Sequence, residues 1–303
     1  MSTYVVTGGC GFIGSYVMKE LLKSKEDNLF IYNIDKMGIG SSEDNIIKDE
    51  RVQNHFIDIA NEEHWRLNMA NPLEFISKQI DYVIHLAAES HVDRSIDNPL
   101  SFVNSNLVGT AKILELVRKH SCRMVHVSTD EVYGHLDKDD PPFTEESPIA
   151  PRSPYSATKA GSDLLVQSYI ETFNTNAAIT RCCNNYGPRQ GDEKLIPTVI
   201  RSIVKGNKIP VYGKEGKDNL YNIAGNLVIN NLDLIKKIIK EVELQFPNYK
   251  RKEKDYIEFV TDRKGHDFKY ELTSKHNLKA VKKQNKFSLG KTVKYYVEKY
   301  RST

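Results

Sequence analysis

Short runs of apolar, β-branched and aromatic residues recur over the first two thirds of the chain, at 4–7, 29–34, 52–57, 82–86, 124–128 and 177–180, and each has the length of a strand. Between several of them the apolar positions change to helical spacing, over 12–25, 98–119 and 155–173. Strands that are apolar nearly throughout are buried on both faces. Their alternation with helices therefore predicts an α/β fold built on a doubly wound, parallel sheet of the Rossmann type. Such a sheet gathers ligands at the carboxyl ends of its strands. From about Asn184 the pattern loosens, with Gly187-Pro188, Gly206 and Pro210 as punctuation, which predicts a smaller and less regular C-terminal lobe. We expect two interleaved parts, approximately 1–183 and 184–303.

Composition narrows the partner. The 303 residues are 39% hydrophobic, enough for a sizeable core. Lys and Arg number 43 against 40 Asp and Glu, a balance that points away from nucleic acid and anionic lipid and toward a small molecule. No apolar run reaches the eighteen or so residues that span a bilayer, and the first residues carry no secretory pattern, so no membrane partner is expected and the cytoplasm is the expected compartment. Cys10, Cys122, Cys182 and Cys183 have neither zinc spacing nor a C-x-x-C pattern, so we expect no metal. The lysine-rich stretches at 250–254 and 279–291 are interrupted by other residues and read as solvated surface.

The first strand runs into Thr7-Gly8-Gly9-Cys10-Gly11-Phe12-Ile13-Gly14, a G-x-x-G-x-x-G spacing that opens a helix. Glycines there permit a tight turn, close approach of backbone to a pyrophosphate and close helix packing, while the helix N-terminus attracts the anion. Asp35 closes the second strand, 21 residues beyond Gly14. A carboxylate at that place accepts hydrogen bonds from ribose hydroxyls and repels a 2′-phosphate, so NAD is the expected cofactor. Asp58, near the end of the third strand, reads equally as an adenine-side contact or as a turn cap.

Tyr155 and Lys159 stand four residues apart, on one face of the helix that follows Pro154. A nearby ammonium stabilises a phenolate, so the spacing predicts a tyrosine whose pKa is drawn down toward neutrality and that acts as a base. The fifth strand ends in Ser128-Thr129-Asp130-Glu131, where the Thr129 hydroxyl can face a substrate beside Tyr155. Paired carboxylates in one pocket can divide the roles of acid and base, and Asp130 and Glu131 are candidates for both.

Together, TGGCGFIGS, STDEVYG and SPYSATKA resemble the motifs of the nucleotide-sugar 4,6-dehydratases, in the extended short-chain dehydrogenase/reductase superfamily. Further matches are HLAAESHVDRS from His85, NNYGP from Asn184, KLIP from Lys194 and PVYG from Pro210. The resemblance implies an NAD-binding part carrying the catalytic residues and a lobe that binds a nucleotide sugar, in a homodimer paired through helices such as 98–119 and 155–173. It implies cofactor contacts from Gly8, Gly11, Phe12, Ile13, Gly14, Asp35, Asp58, Ile59, Ala87, Ala88, Tyr155 and Lys159. For the substrate it implies Ser90, Asn185, Lys194, Leu195, Pro210, Tyr212 and Asn226, although Leu195 and Pro210 also read as core. The implied reaction starts from dTDP- or UDP-glucose: Tyr155 takes the C4 hydroxyl proton as hydride leaves C4, Glu131 takes the C5 proton, Asp130 protonates the departing C6 hydroxyl, and hydride returns at C6. Alternatives are a C4 epimerase, disfavoured by the acid pair, and a silent NAD-binding regulator.

The resemblance breaks after Gly213, where the chain reaches Tyr221-Asn222-Ile223 almost at once. A few tens of residues, including an arginine implied to clamp the diphosphate, have no counterpart. The gap reads either as a deletion or as a segment missing from the sequence. The second is favoured, because removing a strand and a helix leaves backbone unpaired. At 261–270 the D-R-P-G-H-D-x-R-Y pattern of the resemblance has lysines in place of its proline and second arginine.

Overall fold

The computed structural model describes residues 2–24, 29–61, 76, 78–137, 139–212, 220–223, 227–252, 255–260, 271–272 and 288–302. Two compact units form, Met1–Val132 with Ser153–Cys182, and Tyr133–Arg152 with Cys183–Thr303.

The first unit contains β1 (Ser2–Thr7), α1 (Phe12–Leu22), β2 (Leu29–Ile34), β3 (Val52–His55), β4 (Tyr82–His85), α2 (Val92–Asp97), α3 (Pro99–Phe102), α4 (Gly109–His120), β5 (Arg123–Thr129), α5 (Pro154–Phe173) and β6 (Ala177–Cys182). Its strands are parallel and ordered β3-β2-β1-β4-β5-β6. The order reverses between β1 and β4, which opens a crevice at their carboxyl ends. Adjacent residues of a strand face opposite sides, and both sides are covered here. Val5 packs with Ile113, Leu114 and Val117 on one face, and Val6 with Met18 and Ile31 on the other. That two-sided burial is why the strands read as continuous apolar runs.

Two local departures from the sequence pattern matter. The helix expected over 98–119 is interrupted by a π-helical stretch, Val103–Val108, between α3 and α4. Such a bulge adds a residue to one turn and re-aims side chains. Here it carries the buried Asn106. The third strand stops at His55, before a turn in which Asp58 Oδ1 accepts the Ala60 amide at 2.8 Å.

The second unit holds α6 (Leu195–Lys205), β7 (Ile209–Tyr212), β8 (Leu220–Ile223), β9 (Leu227–Asn230), α7 (Asn231–Gln245), β10 (Ile257–Val260) and α8 (Leu289–Arg301). β7 pairs with β10 in parallel and β8 with β9 antiparallel. Val199, Ile200 and Ile203 of α6, Ile235 and Ile238 of α7, and Val293, Tyr296 and Val297 of α8 share one core. α8 also clasps the loop before α6, Tyr296 donating to Gln190 O at 2.7 Å, and Tyr300 and Lys299 to Asp192 Oδ1 at 2.7 and 2.9 Å. None of the described helices is long and apolar enough to cross a membrane. Asn226 and the stretches 213–219, 261–270 and 279–287 lie outside the described residues.

Candidate active site

The glycine loop leaves β1 at Gly8, which takes φ +74°, a left-handed conformation that costs glycine little. A Cβ there would stand 2.8 Å from the Ala87 backbone nitrogen, so the loop after β1 and the loop after β4 lie against each other at the crevice. A Cβ on Gly14 would strike the Gly8 carbonyl oxygen, which explains why α1 can pack so closely. Gly11 is different, since its nearest neighbour outside the adjacent residues would be 3.2 Å away. α1 begins there with no side-chain cap, so the first-turn amides of Phe12 and Ile13 have no side-chain acceptor, an arrangement that receives an anion. Asp35 completes the loop: Oδ2 accepts the Cys10 amide at 2.9 Å, and Oδ1 accepts the Met37 amide at 2.8 Å and the Ser41 hydroxyl at 2.7 Å. Oδ2, with one bond accepted, keeps acceptor capacity for a ribose hydroxyl. These features fit a dinucleotide. Ile59 is buried against Gly109, and Ala87 and Ala88 are half-buried on the loop after β4. Ser90, two residues on, is exposed.

The catalytic candidates meet at the carboxyl end of β5. Ser153 caps α5 with a reciprocal box to Ser156, and Pro154 starts its first turn, which fixes Tyr155 one residue in and Lys159 one turn later. Tyr155 lies near the Thr129 hydroxyl, which draws its phenol down in part. Thr129 Oγ1 in turn donates to Asp130 Oδ1 at 3.2 Å and accepts the Glu131 amide at 3.3 Å. Lys159 Nζ donates to Val127 O at 2.9 Å. Tyr155, Thr129, Asp130 and Lys159 are all buried, and Glu131 is half-buried.

Burial separates the two acids. The Asp130 carboxyl rises to about 7, because desolvation outweighs the bonds it receives from Thr129 and the amides of 130 and 131. Among the described residues its Oδ2 is buried with no hydrogen-bond partner. Lys159 falls to about 8 by desolvation, opposed by Asp163 and Cys182. The expectation for Tyr155 is reversed. Its phenol is pushed well above its ordinary value, by burial first and then by Glu131 and Cys182. The Lys159 ammonium is spent on a main-chain carbonyl, and a carboxylate rather than a cation dominates the field at the phenol.

Sequence reading passed over several groups of this unit. Asn106 Nδ2 donates to Glu89 O at 3.1 Å and Thr158 Oγ1 at 2.9 Å, joining the π-helical stretch to the catalytic helix. Lys36 pairs with Glu89 at 2.7 Å and donates to Ser105 at 2.8 Å, beside Asp35. The buried carboxylate of Asp163 receives Arg181 Nε at 2.8 Å. A carboxylate four residues beyond Lys159 was the signal available for it.

The substrate candidates from Asn185 onward lie in the second unit. Asn185 Nδ2 donates to Cys183 O at 3.0 Å, and Lys194 is the extended N-cap residue of α6. Leu195 packs on that unit's core, so its core reading has a physical basis, whereas Pro210 on β7 is exposed. The Tyr212 backbone pairs with Val260.

A parallel sheet in this strand order, a glycine loop at its switch point and a Tyr-Lys pair beside it define an extended short-chain dehydrogenase/reductase. The family model for GDP-mannose 4,6-dehydratase matches residues 5–237, and the chain belongs to that family. The dTDP-glucose 4,6-dehydratase of Haemophilus influenzae is 37% identical over 98% of both chains, and dTDP-glucose 4,6-dehydratase 1 of Escherichia coli is 36% identical over 97% of this chain and 92% of its own. The first of these alignments spans 340 positions, more than the 303 residues present here, so the relative carries residues this chain lacks. Among solved structures, DesIV, a dTDP-glucose 4,6-dehydratase of Streptomyces venezuelae with NAD bound, matches with a TM-score of 0.85 and 31% identity, covering 98% of this chain and 97% of its own. A UDP-glucose 4-epimerase of Thermotoga maritima, 22% identical with a TM-score of 0.80, shares the fold.

Proposed function

We propose that this chain is an NAD-dependent hydro-lyase that converts a nucleoside-diphosphate-glucose, dTDP- or UDP-glucose, to its 4-keto-6-deoxy form. The observation that carries the reading is the acid pair at the end of β5, one hydroxyl away from Tyr155, with Asp130 at about 7 and so able to hold a proton near neutrality. Oxidation at C4 alone requires no such pair. NAD, when bound, accepts two electrons from C4 and returns them at C6. Gly8, Gly11, Gly14, Phe12 and Ile13 would hold its pyrophosphate, and Asp35 its ribose. The positive charge of the oxidised cofactor would offset Glu131 and favour the phenolate, and Tyr155 takes the C4 hydroxyl proton at Oη. The resulting ketone acidifies C5; Glu131 removes that proton and Asp130 donates its own to the C6 hydroxyl, which leaves as water, and Glu131 returns its proton to C5 as C6 is reduced.

The first unit serves as the cofactor and catalytic part, and the second as the nucleotide-sugar part through Asn185, Lys194, Leu195, Pro210, Tyr212 and Asn226. Exposed apolar residues, Leu100, Val103 and Val108 before α4 and Leu164 on α5, support a homodimer formed through these segments. A cytoplasmic location agrees with the substrates and with the lack of a spanning helix among the described residues. The test is incubation with dTDP-glucose and with UDP-glucose, followed by mass spectrometry. Loss of one water from either supports the reading. Unchanged sugar nucleotides with NAD bound to the protein would overturn it.

A further inference from the structure

Behind the catalytic pair, on the sheet side of α5, lies a second set of polar groups with no part in the reaction just described. Asp163 is on the same face as Lys159, one turn further along the helix, and its side chain is 0% exposed. Its Oδ2 takes Arg181 Nε of β6 at 2.8 Å, and its Oδ1 faces His126 Nε2 of β5 at 3.4 Å. The Arg181 side chain is only 13% exposed, so this is an ion pair inside the protein. Next to it, His126 and His85 face each other with ring centroids 5.3 Å apart. His85 is held between the hydroxyls of Thr7 at 2.6 Å and Thr110 at 3.0 Å.

Buried ion pairs cost nearly as much in desolvation as they return, and apolar side chains of similar volume stabilise a fold as well or better. Stability alone therefore gives no reason for this one. The reason lies with its neighbour. A buried ammonium needs a compensating charge, and the groups that act on Lys159 are Asp163 on its own helix, His85 on β4, His126 on β5 and Cys182 on β6. Both imidazoles are driven down by burial, His126 to about 4, so neither adds positive charge at neutral pH. Of this set Asp163 is the carboxylate.

We propose that Asp163, held by Arg181, is a positioning residue that supplies the permanent counter-charge for Lys159. It keeps the lysine charged and held on the Val127 carbonyl, one helical turn from Tyr155. This rests on the reading of Lys159 as the partner of Tyr155, but its test does not depend on turnover. Burial pulls Lys159 to about 8 and Asp163 is the first group that opposes it, so neutralising Asp163 lets the lysine lose its proton at still lower pH.

The experiment follows the Lys159 side chain by NMR in protein labelled at lysine Cε, without substrate, with the resonance assigned by Lys159→Arg. In Asp163→Asn the titration midpoint moves down by about one pH unit or more. In Asp163→Glu, which keeps a carboxylate on that face of the helix, the midpoint stays near the wild-type value. An unchanged midpoint in Asp163→Asn overturns the proposal, and so does an equal fall in Asp163→Glu, which would mean that lost packing rather than lost charge moves the lysine. If Asp163→Asn does not fold, the wild-type titration still decides: a midpoint below neutrality means that the lysine has no effective counter-charge and overturns the proposal. A wild-type protein that fails to dehydrate any sugar nucleotide would overturn the functional reading and leave this titration untouched.

Discussion

Asp130 sets a pH dependence of its own. Between its ordinary value near 4 and its folded value of about 7, the folded protein binds a proton that the unfolded chain has released. Stability therefore falls as pH rises through that window, by on the order of 4 kcal/mol in total, and is level above it. Asp130→Asn removes the titration. We expect its melting temperature to exceed that of the wild type at pH 8 and to lose this advantage below pH 4, while turnover drops by about a hundredfold or more. Equal melting temperatures at pH 8 would count against a buried, unpaired carboxylate. The motif residues were legible because they are contiguous: a glycine loop, S-T-D-E and Y-x-x-x-K each carry their chemistry within a few positions. The direction of the Tyr155 shift was not legible, since it depends on where the Lys159 ammonium points and on the approach of Glu131, both set by how α5 lies against β5. Arg181 and Asp163 meet only because β6 pairs beside β5.

The capping box on α5 links chain chemistry to catalysis. Ser153 Oγ accepts the Ser156 amide at 3.1 Å and the Ser153 amide donates to Ser156 Oγ at 3.0 Å, so the first turn that carries Tyr155 is held at both ends of the box. Ser153→Ala is expected to cost about 1 kcal/mol, read as a fall of about 2 °C in the melting temperature, with a larger proportional loss in kcat than in substrate affinity. Unaltered kcat would show that the turn is held by other contacts. Strands and helices of the first unit were readable from periodicity, because two-sided burial leaves an unbroken apolar signature. The π-helical stretch was not. One extra residue in a turn barely disturbs an apolar repeat, yet it brings Asn106 to Glu89 and Thr158.

The proposed homodimer can be tested at its exposed leucines. Leu100 is 75% exposed and Leu164 53% exposed, and burying such side chains contributes roughly 1.5–3 kcal/mol each. If the proposed homodimer forms there, Leu164→Glu converts it to a monomer in light scattering after size exclusion; a wild-type protein that already runs as a monomer would end that reading. The second unit was the least legible part, because its core joins segments far apart in sequence, from Ile196 to Tyr300. That has a consequence for synthesis. Every residue of the first unit has been made once Cys182 is joined, so its sheet can close while the rest of the chain is still being translated. The second unit must wait for Val293, Tyr296 and Tyr300, because until α8 emerges its core lacks one wall and the loop at Gln190 and Asp192 has nothing to clasp it. During that interval the half-made chain exposes apolar helices α6 and α7, and it is then that a chaperone would be most needed.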